Sequence, residues 1–286
     1  MAAQEGVVLV GVDGSTASLA AVDWAATEAV STGCELVICH AIPGGIQIRD
    51  RTEAPFTHLF ARGERIVRVA ARRARASAAG LQVSTEVISQ GLPSAALLDQ
   101  TVDARIAVVG SRGSGMFRGL LLGSTSQQVA THATCPVVVV HERPAPGAST
   151  AAPVTVGLDW CGHEPLLALA FDYADRHHRS LVAVHAYRIT EPPQRPGRPG
   201  EPSVLPRAAE EMLADATAPW QQKYPDVPVH RQVLTQAPAT ALIQESARSA
   251  LIVVGPRGHG GFAGLLLGSV SQHVLRHGRC PIAIAR

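Results

Sequence analysis

The sequence predicts an α/β protein made of two tandem, doubly wound domains, each a five-stranded parallel sheet with helices on both faces. Two observations carry this expectation. The segment GSRGSGMFRGLLLGSTSQQV, starting at Gly110, returns 145 residues later as GPRGHGGFAGLLLGSVSQHV, starting at Gly255, with 14 of 20 positions identical. Solenoid repeats run to only about 20–50 residues, so a longer period means duplicated whole domains. In both halves, moreover, short and nearly continuous apolar blocks alternate with helix-patterned stretches. Such blocks suit strands covered on both faces, hence a parallel sheet.

Taken in order, the first half offers strands at VVLVGV (7–12), ELVICH (35–40), LQVSTEVI (81–88), RIAVVG (105–110) and PVVVVH (136–141). Helical spacing and alanine-rich composition fall between them, at 16–30, 58–79, 94–102 and 124–132. The second half repeats the series with VTVGLD, SLVAVHA, VPVHRQVL, LIVVGP and PIAIA. Five strands alternating with four helices make a doubly wound unit. The proline-rich run ERPAPGASTAAP marks a boundary, so the domains are expected at 1–143 and 154–286 with a linker at 144–153. Two irregular stretches, 42–57 and the proline-rich 191–206, follow the second strand of each half; they read either as mobile excursions near the mouth of a site or as plain disorder.

Composition narrows the function. A chain of 286 residues gives each half enough length for its own core. The five cysteines, Cys34, Cys39, Cys135, Cys161 and Cys280, are odd in number and lack metal-ligand spacing, so they are expected as small hydrophobes in a reducing compartment. No signal peptide and no run of about 18 apolar residues is visible, so neither a membrane span nor export is expected and the location is read as cytoplasmic. A net charge of +2 and 4% aromatics disfavour nucleic acid, and the cluster RRAR at 72–75 reads as a solvated helix face.

The repeated loop holds the chemistry. An apolar strand runs into Gly110, and a helix begins at Gly123-Ser124. The first amides of a helix lack intrahelical partners and its dipole favours anions, so Gly113, Gly123 and Ser124 are placed to surround phosphate oxygens. The Ser124 hydroxyl either caps the helix or donates to a phosphate. No lysine precedes it, which excludes a P-loop, and the glycines do not follow the first strand as a dinucleotide fingerprint would. Arg112 and Arg257 recur at one place and either offset phosphate charge or sit on the loop surface, while Arg118 occurs in the first half only.

A second polar repeat is the aspartate closing the first strand, Asp13 in VGVDGS and Asp159 in VGLDWC. Ligands of open α/β sheets bind beyond the carboxyl ends of the strands, where the strand order reverses. With the first and fourth strands adjacent there, Asp13 faces the glycine loop across one crevice and takes ribose, a base edge or a divalent metal; capping of the following turn is compatible with that. His40 and His185 end the second strands and are expected to be hydrogen-bonded terminators, and His132 and His277 suit the last turn of a helix. No nucleophile, base and orienting carboxylate stand out, so hydrolytic triad chemistry is unsupported.

These landmarks, VGVDGS, the strand ends ICHA and VHAY, G-x2-G-x9-G-S before a helix, then CPVVVV and CPIAIA, resemble the universal stress proteins of the ATP-binding type. The resemblance covers nearly the whole chain, in the tandem two-domain form common in mycobacteria and related actinobacteria. It implies strand order 3-2-1-4-5 and bound ATP with Mg2+ or Mn2+, in a stress-response regulator or sensor with slow or no hydrolysis. By position it places Asp13, Ala41, Gly110, Arg112, Gly113, Gly115, Gly123, Ser124 and Thr125 around one nucleotide. The second set is Asp159, Ala186, Gly255, Arg257, Gly258, Gly260, Gly268, Ser269 and Val270. Backbone at Ala41 and Ala186 would meet adenine. The competing expectations are an adenylyl-transferring enzyme of related fold, a scaffold without ligand, and cyclic AMP in place of ATP.

Departures fall in the second half, where Asp159-Trp160-Cys161 replaces Asp13-Gly14-Ser15 and Pro256 removes a backbone donor. Trp160 is expected either to fill the crevice or to stack on a base. If the implied order holds, the apolar fifth strands lie at sheet edges, which invites pseudo-symmetric pairing of the halves or a homodimer.

Overall fold

The computed structural model describes residues 6–42, 54–89, 91–113, 121–142, 151–188, 204–258 and 266–286. The chain divides into two compact units, Met1–Arg143 and Pro144–Arg286. The first contains β1 (Val7–Gly11), α1 (Thr16–Thr32), β2 (Leu36–Ala41), α2 (Ala54–Ser77), β3 (Val83–Ile88), α3 (Pro93–Gln100), β4 (Ala104–Gly110), α4 (Ser124–His132) and β5 (Val137–Val140). The second contains β6 (Val154–Gly157), α5 (Glu164–Arg176), β7 (Leu181–Ala186), α6 (Val204–Lys223), β8 (Val229–Leu234), α7 (Pro238–Glu245), β9 (Leu251–Val254), α8 (Ser269–His277) and β10 (Ile282–Ile284).

Within the first unit the strands are all parallel and ordered β3-β2-β1-β4-β5. In the second, the order β8-β7-β6-β9-β10 repeats the same arrangement, 3-2-1-4-5 in each unit's own numbering. The chain therefore reverses direction across the sheet between β1 and β4, and between β6 and β9. Helices α1 and α2 pack together, as do α3 and α4, which is the two-faced cover of a doubly wound sheet. In the second unit α5 meets α6 and α7 meets α8.

The two cores are filled differently. Helix α1 buries Ala17, Ala21, Ala25 and Ala29, one stripe at a spacing of four residues. Its small side chains let its backbone come close to the sheet at Gly110, where an added β-carbon would lie 2.7 Å from the Ala17 carbonyl carbon and 2.8 Å from the Ser18 nitrogen. Ser15 caps the helix by accepting the Ser18 N–H at 3.2 Å, and Gly33, with φ of 70°, ends it in the left-handed conformation. Helix α5 instead buries Leu166, Leu167 and Phe171, and the Phe171 ring stacks against Trp220 and Tyr224 at centroid distances of 6.0 and 5.8 Å.

On the opposite face both units use one device. A β-carbon at Gly11 would lie 2.9 Å from Leu97 of α3, and one at Gly157 would lie 2.9 Å from Leu242 of α7. A glycine near the end of the first strand thus seats the third helix in each unit. Helix α2 begins at Ala54, four residues before the start expected from spacing. Of its basic cluster, Arg73 forms a bidentate pair with Asp23, both contacts at 2.6 Å, and Arg75 donates to the Val83 carbonyl at 2.8 Å.

Candidate functional site

In the first unit, the turn after β1 and the loop after β4 meet beyond the carboxyl ends of the two adjacent strands. Asp13 follows β1 by two residues and accepts the Ser15 N–H through Oδ1 at 3.0 Å. Its Oδ2 faces Gly113 so closely that a β-carbon there would lie 2.6 Å away. Ser15 joins the two segments again by donating its hydroxyl to the Arg112 carbonyl at 3.2 Å. An aspartate and a glycine 100 residues apart therefore form one wall, as expected from the strand reversal.

The loop is held from beneath. Ser111 is buried, and its N–H donates to the Val140 carbonyl at 2.7 Å, continuing the ladder between β4 and β5. Its carbonyl accepts the Gly123 N–H at 2.8 Å, which closes the two ends of the loop onto each other. Ser126 donates to the Gly110 carbonyl at 2.6 Å, tying the first turn of α4 to the end of β4. Gly123, not Ser124, is the N-cap of α4, and no side chain caps the helix. Ser124 and Thr125 are its first two residues. The Arg112 side chain is exposed, and Ala41, at the end of β2, is buried.

His40 Nδ1 lies 2.7 Å from the Val12 carbonyl and so donates to it, pinning the end of β2 to the residue before Asp13. His185 does the same for the Leu158 carbonyl at 2.9 Å. Both histidines thus serve as the hydrogen-bonded strand terminators expected from sequence.

The second unit keeps the wall and changes what surrounds it. A β-carbon at Gly258 would lie 2.9 Å from Asp159 Oδ2, the counterpart of the Gly113 contact. The Gly268 N–H donates to the Pro256 carbonyl at 2.6 Å, and Ser271 donates to the Gly255 carbonyl at 2.6 Å. Gly268 is the N-cap of α8, with Ser269 and Val270 as its first residues, and Arg257 is exposed. Ala186 ends β7 and is partly exposed, unlike Ala41. Asp159 Oδ1 accepts the Trp160 N–H at 2.9 Å, and the His163 ring reaches the Asp159 carbonyl. Four residues lie between Asp159 and the start of α5, against two between Asp13 and α1, and His163 caps α5 without a side-chain bond.

Two sequence expectations are sharpened here. Trp160, 42% exposed, packs edge-on against the His185 ring at 4.9 Å between centroids, so its first partner is this chain's own imidazole. Pro256 stands where Ser111 stands in the first unit, so the donor it lacks is the one that extends the sheet to β5, and the loop amides are untouched. Gly115 and Gly260 lie outside the described residues, as does Arg118. Ser15, Ser126 and Ser271 are structural members of the site that sequence reasoning passed over. Their signal was present, since Ser126 and Ser271 are identical positions of the repeat.

Among the described residues of the motif, Gly110, Gly113, Gly258, Ser126 and Ser271 thus have a visible structural reason, whereas Gly123 and Gly268 do not. Gly123 (φ −72°) and Gly268 (φ −71°) have extended backbone open to any residue. An added β-carbon would find its nearest described atoms at 3.6 Å and 3.5 Å, ordinary contact distances. Nothing among the described residues requires glycine at either place.

The model of the universal stress protein family matches the chain twice, over residues 6–141 and 154–286. The Mycobacterium tuberculosis universal stress protein Rv2005c is 38% identical over 292 residues, covering 99% of this chain and 97% of that protein. Universal stress protein Rv2623 of the same organism is 36% identical over 301 residues, covering 98% and 96%. Among solved structures, a universal stress protein from Archaeoglobus fulgidus superposes with a TM-score of 0.71 at 19% identity, covering 99% of this chain and 97% of that one, which bears on fold alone. The chain belongs to the universal stress protein family, as a tandem of two such units.

Proposed function

We propose that the protein is a nucleotide-binding regulator whose first unit holds ATP with Mg2+ or Mn2+. The observation that carries this reading is Gly123: a helix N-cap for which nothing among the described residues requires glycine, beside the Asp13–Gly113 wall, leaves the first amides of α4 open to a close-approaching anion. In this reading the amides of Gly113, Ser124 and Thr125 receive phosphate oxygens, with the Ser124 and Thr125 hydroxyls beside them; the Gly123 N–H is committed to the Ser111 carbonyl, so Gly123 serves by leaving its α-carbon bare for the anion's approach. Gly110 sets the loop's origin, and the Arg112 guanidinium offsets charge at the rim. Asp13 takes the ribose hydroxyls or one position on the metal, and the Ala41 backbone meets the base.

The donor set suits a hard divalent ion shared with the phosphates, because Mg2+ is commonly bound through one or two carboxylates plus substrate phosphates. When bound, the ion neutralises phosphate charge. The chain's own residues bind and orient; His40 commits its Nδ1 proton to the Val12 carbonyl and serves structure.

In the second unit Asp159, Ala186, Gly255, Arg257, Gly258, Gly268, Ser269 and Val270 make a corresponding crevice that binds more weakly, since the turn after Asp159 is reorganised around Trp160 and His163. Each chain then binds one nucleotide tightly. We further expect the apolar strands β5 and β10, each at the edge of its own unit's sheet, to support pairing of units or of chains; light scattering of the purified protein tests the pairing of chains.

Calorimetric titration of the full chain with Mg2+-ATP, and separately with cyclic AMP, tests the site. Gly123→Ser is the informative variant: serine is at least as good an N-cap, so α4 gains up to a few tenths of a kcal/mol while the crowded amides lose nucleotide. Asp13→Ala should also weaken binding by about tenfold or more, the loss of a charge-assisted hydrogen bond. Undiminished affinity in both variants would sink the proposed site, and tighter binding of cyclic AMP would change the ligand while leaving the site in place.

A further inference from the structure

Helix α8 carries histidines at positions 273 and 277, four residues apart and therefore on one face. Both are exposed, and their ring centroids lie 4.8 Å apart with planes inclined by 35°. Neither imidazole has a hydrogen-bond partner among the described residues. The first unit shows the contrast. There the corresponding residues are Gln128 and His132, and His132 donates through Nδ1 to the Gln128 carbonyl at 3.1 Å, the ordinary fate of a histidine in the last turn of a helix.

We propose that His273 and His277 form a bidentate site for a divalent transition-metal ion, Ni2+, Cu2+ or Zn2+, on the solvent face of α8. Imidazole is a preferred ligand for these ions, and two histidines one turn apart on a helix are a recognised way to present it. The spacing agrees with a shared ion. With a metal–nitrogen distance of about 2.0–2.1 Å and ring centres about 1.1 Å further on, two imidazoles at roughly 90–109° around one metal have centroids about 4.5–5.2 Å apart.

The carbonyl end of the helix, where His277 lies, also favours a cation. Exposed Arg276 and Arg279 are the nearest cations in sequence and set an upper limit on affinity. Water fills the remaining coordination positions. The site is separate from the nucleotide crevice, since it occupies the second and last turns of α8 while that crevice uses the first. Metal bound there clasps those two turns together.

Untagged full-length protein is titrated calorimetrically with Ni2+ alone, and its Tm is measured with and without the ion. The wild type is expected to bind one Ni2+ per chain through this pair and to show a raised Tm. His273→Gln installs the residue of the first unit on an exposed face, so it should leave the metal-free Tm unchanged. Loss of one of two imidazole ligands should weaken Ni2+ binding by about tenfold or more. Gln128→His, which pairs a new imidazole with His132, is expected to add a second equivalent. Ni2+ affinity and stoichiometry unchanged in His273→Gln, or no saturable binding to the wild type, would overturn the proposal.

Discussion

Gly110 and Gly255 are the same residue of the same repeated motif, yet their surroundings differ. A β-carbon at Gly110 would lie 2.7–2.9 Å from backbone atoms of Ala17 and Ser18, and backbone cannot turn aside as a side chain can. At Gly255 the nearest atoms are the Arg257 carbonyl oxygen at 3.1 Å and a Leu166 methyl at 3.5 Å. Gly110→Ala must therefore push α1 off the sheet, with an overpacking cost of about 1–3 kcal/mol, whereas Gly255→Ala needs only small adjustments and should cost less. Urea unfolding of the two variants checks this, and equal losses would contradict it. The recurrence of these glycines was legible in the sequence, but the division of labour among them was not. It depends on which helix lies behind each one, and alanine-rich α1 comes closer than leucine-bearing α5.

At the scale of elements, the start of α1 shows how one hydroxyl serves both stability and the site. Ser15 accepts the Ser18 N–H, donates its hydroxyl to the Arg112 carbonyl, and donates its own N–H to the Asp13 carboxylate. Ser15→Ala should therefore cost about 1 kcal/mol from the lost cap, and should loosen nucleotide binding by freeing the Arg112 segment. Thermal melts and nucleotide titration together test it; a stability loss with unchanged affinity would remove the link to the loop. The strands and their order could be read from apolar blocks and from the family resemblance, because strands buried on both faces leave a strong pattern. Helix caps could not be read so directly. The sequence allowed Ser124 to cap α4, and the structure gives that position to Gly123, whose N–H is drawn back to the Ser111 carbonyl, so the helix starts at Ser124 itself. The serines beneath the loop were missed for a related reason: a small hydroxyl residue in a helix looks neutral until the carbonyl it reaches is known.

For the molecule as a whole, each unit contains a buried thiol whose titration is pushed far above the ordinary range, and this makes stability depend on pH in the alkaline range. No disulfide links the five cysteines. Burial pushes Cys39 from 9.0 up to about 12, with the nearby Glu86 charge adding to the effect. Burial likewise pushes Cys280 up to about 12, against backbone hydrogen bonds from Ile252 and its own N–H. Between pH 9 and 12 the folded chain holds protons that the unfolded chain releases. Stability from this source is therefore fully present below about pH 9 and declines as pH rises toward 12. Each thiol contributes a slope of up to about 1.4 kcal/mol per pH unit in that window, so its own unit weakens by that amount. Lysine and tyrosine also titrate there, so the variant comparison isolates the thiols. Cys39→Ala should flatten the pH dependence of the first unit's unfolding and Cys280→Ala that of the second, although each lowers stability at neutral pH by leaving a small cavity. Denaturant unfolding measured at intervals from pH 8 to 11, with the slope compared rather than the absolute stability, distinguishes the two effects. Slopes identical to the wild type in both variants would show that neither thiol contributes to the alkaline pH dependence.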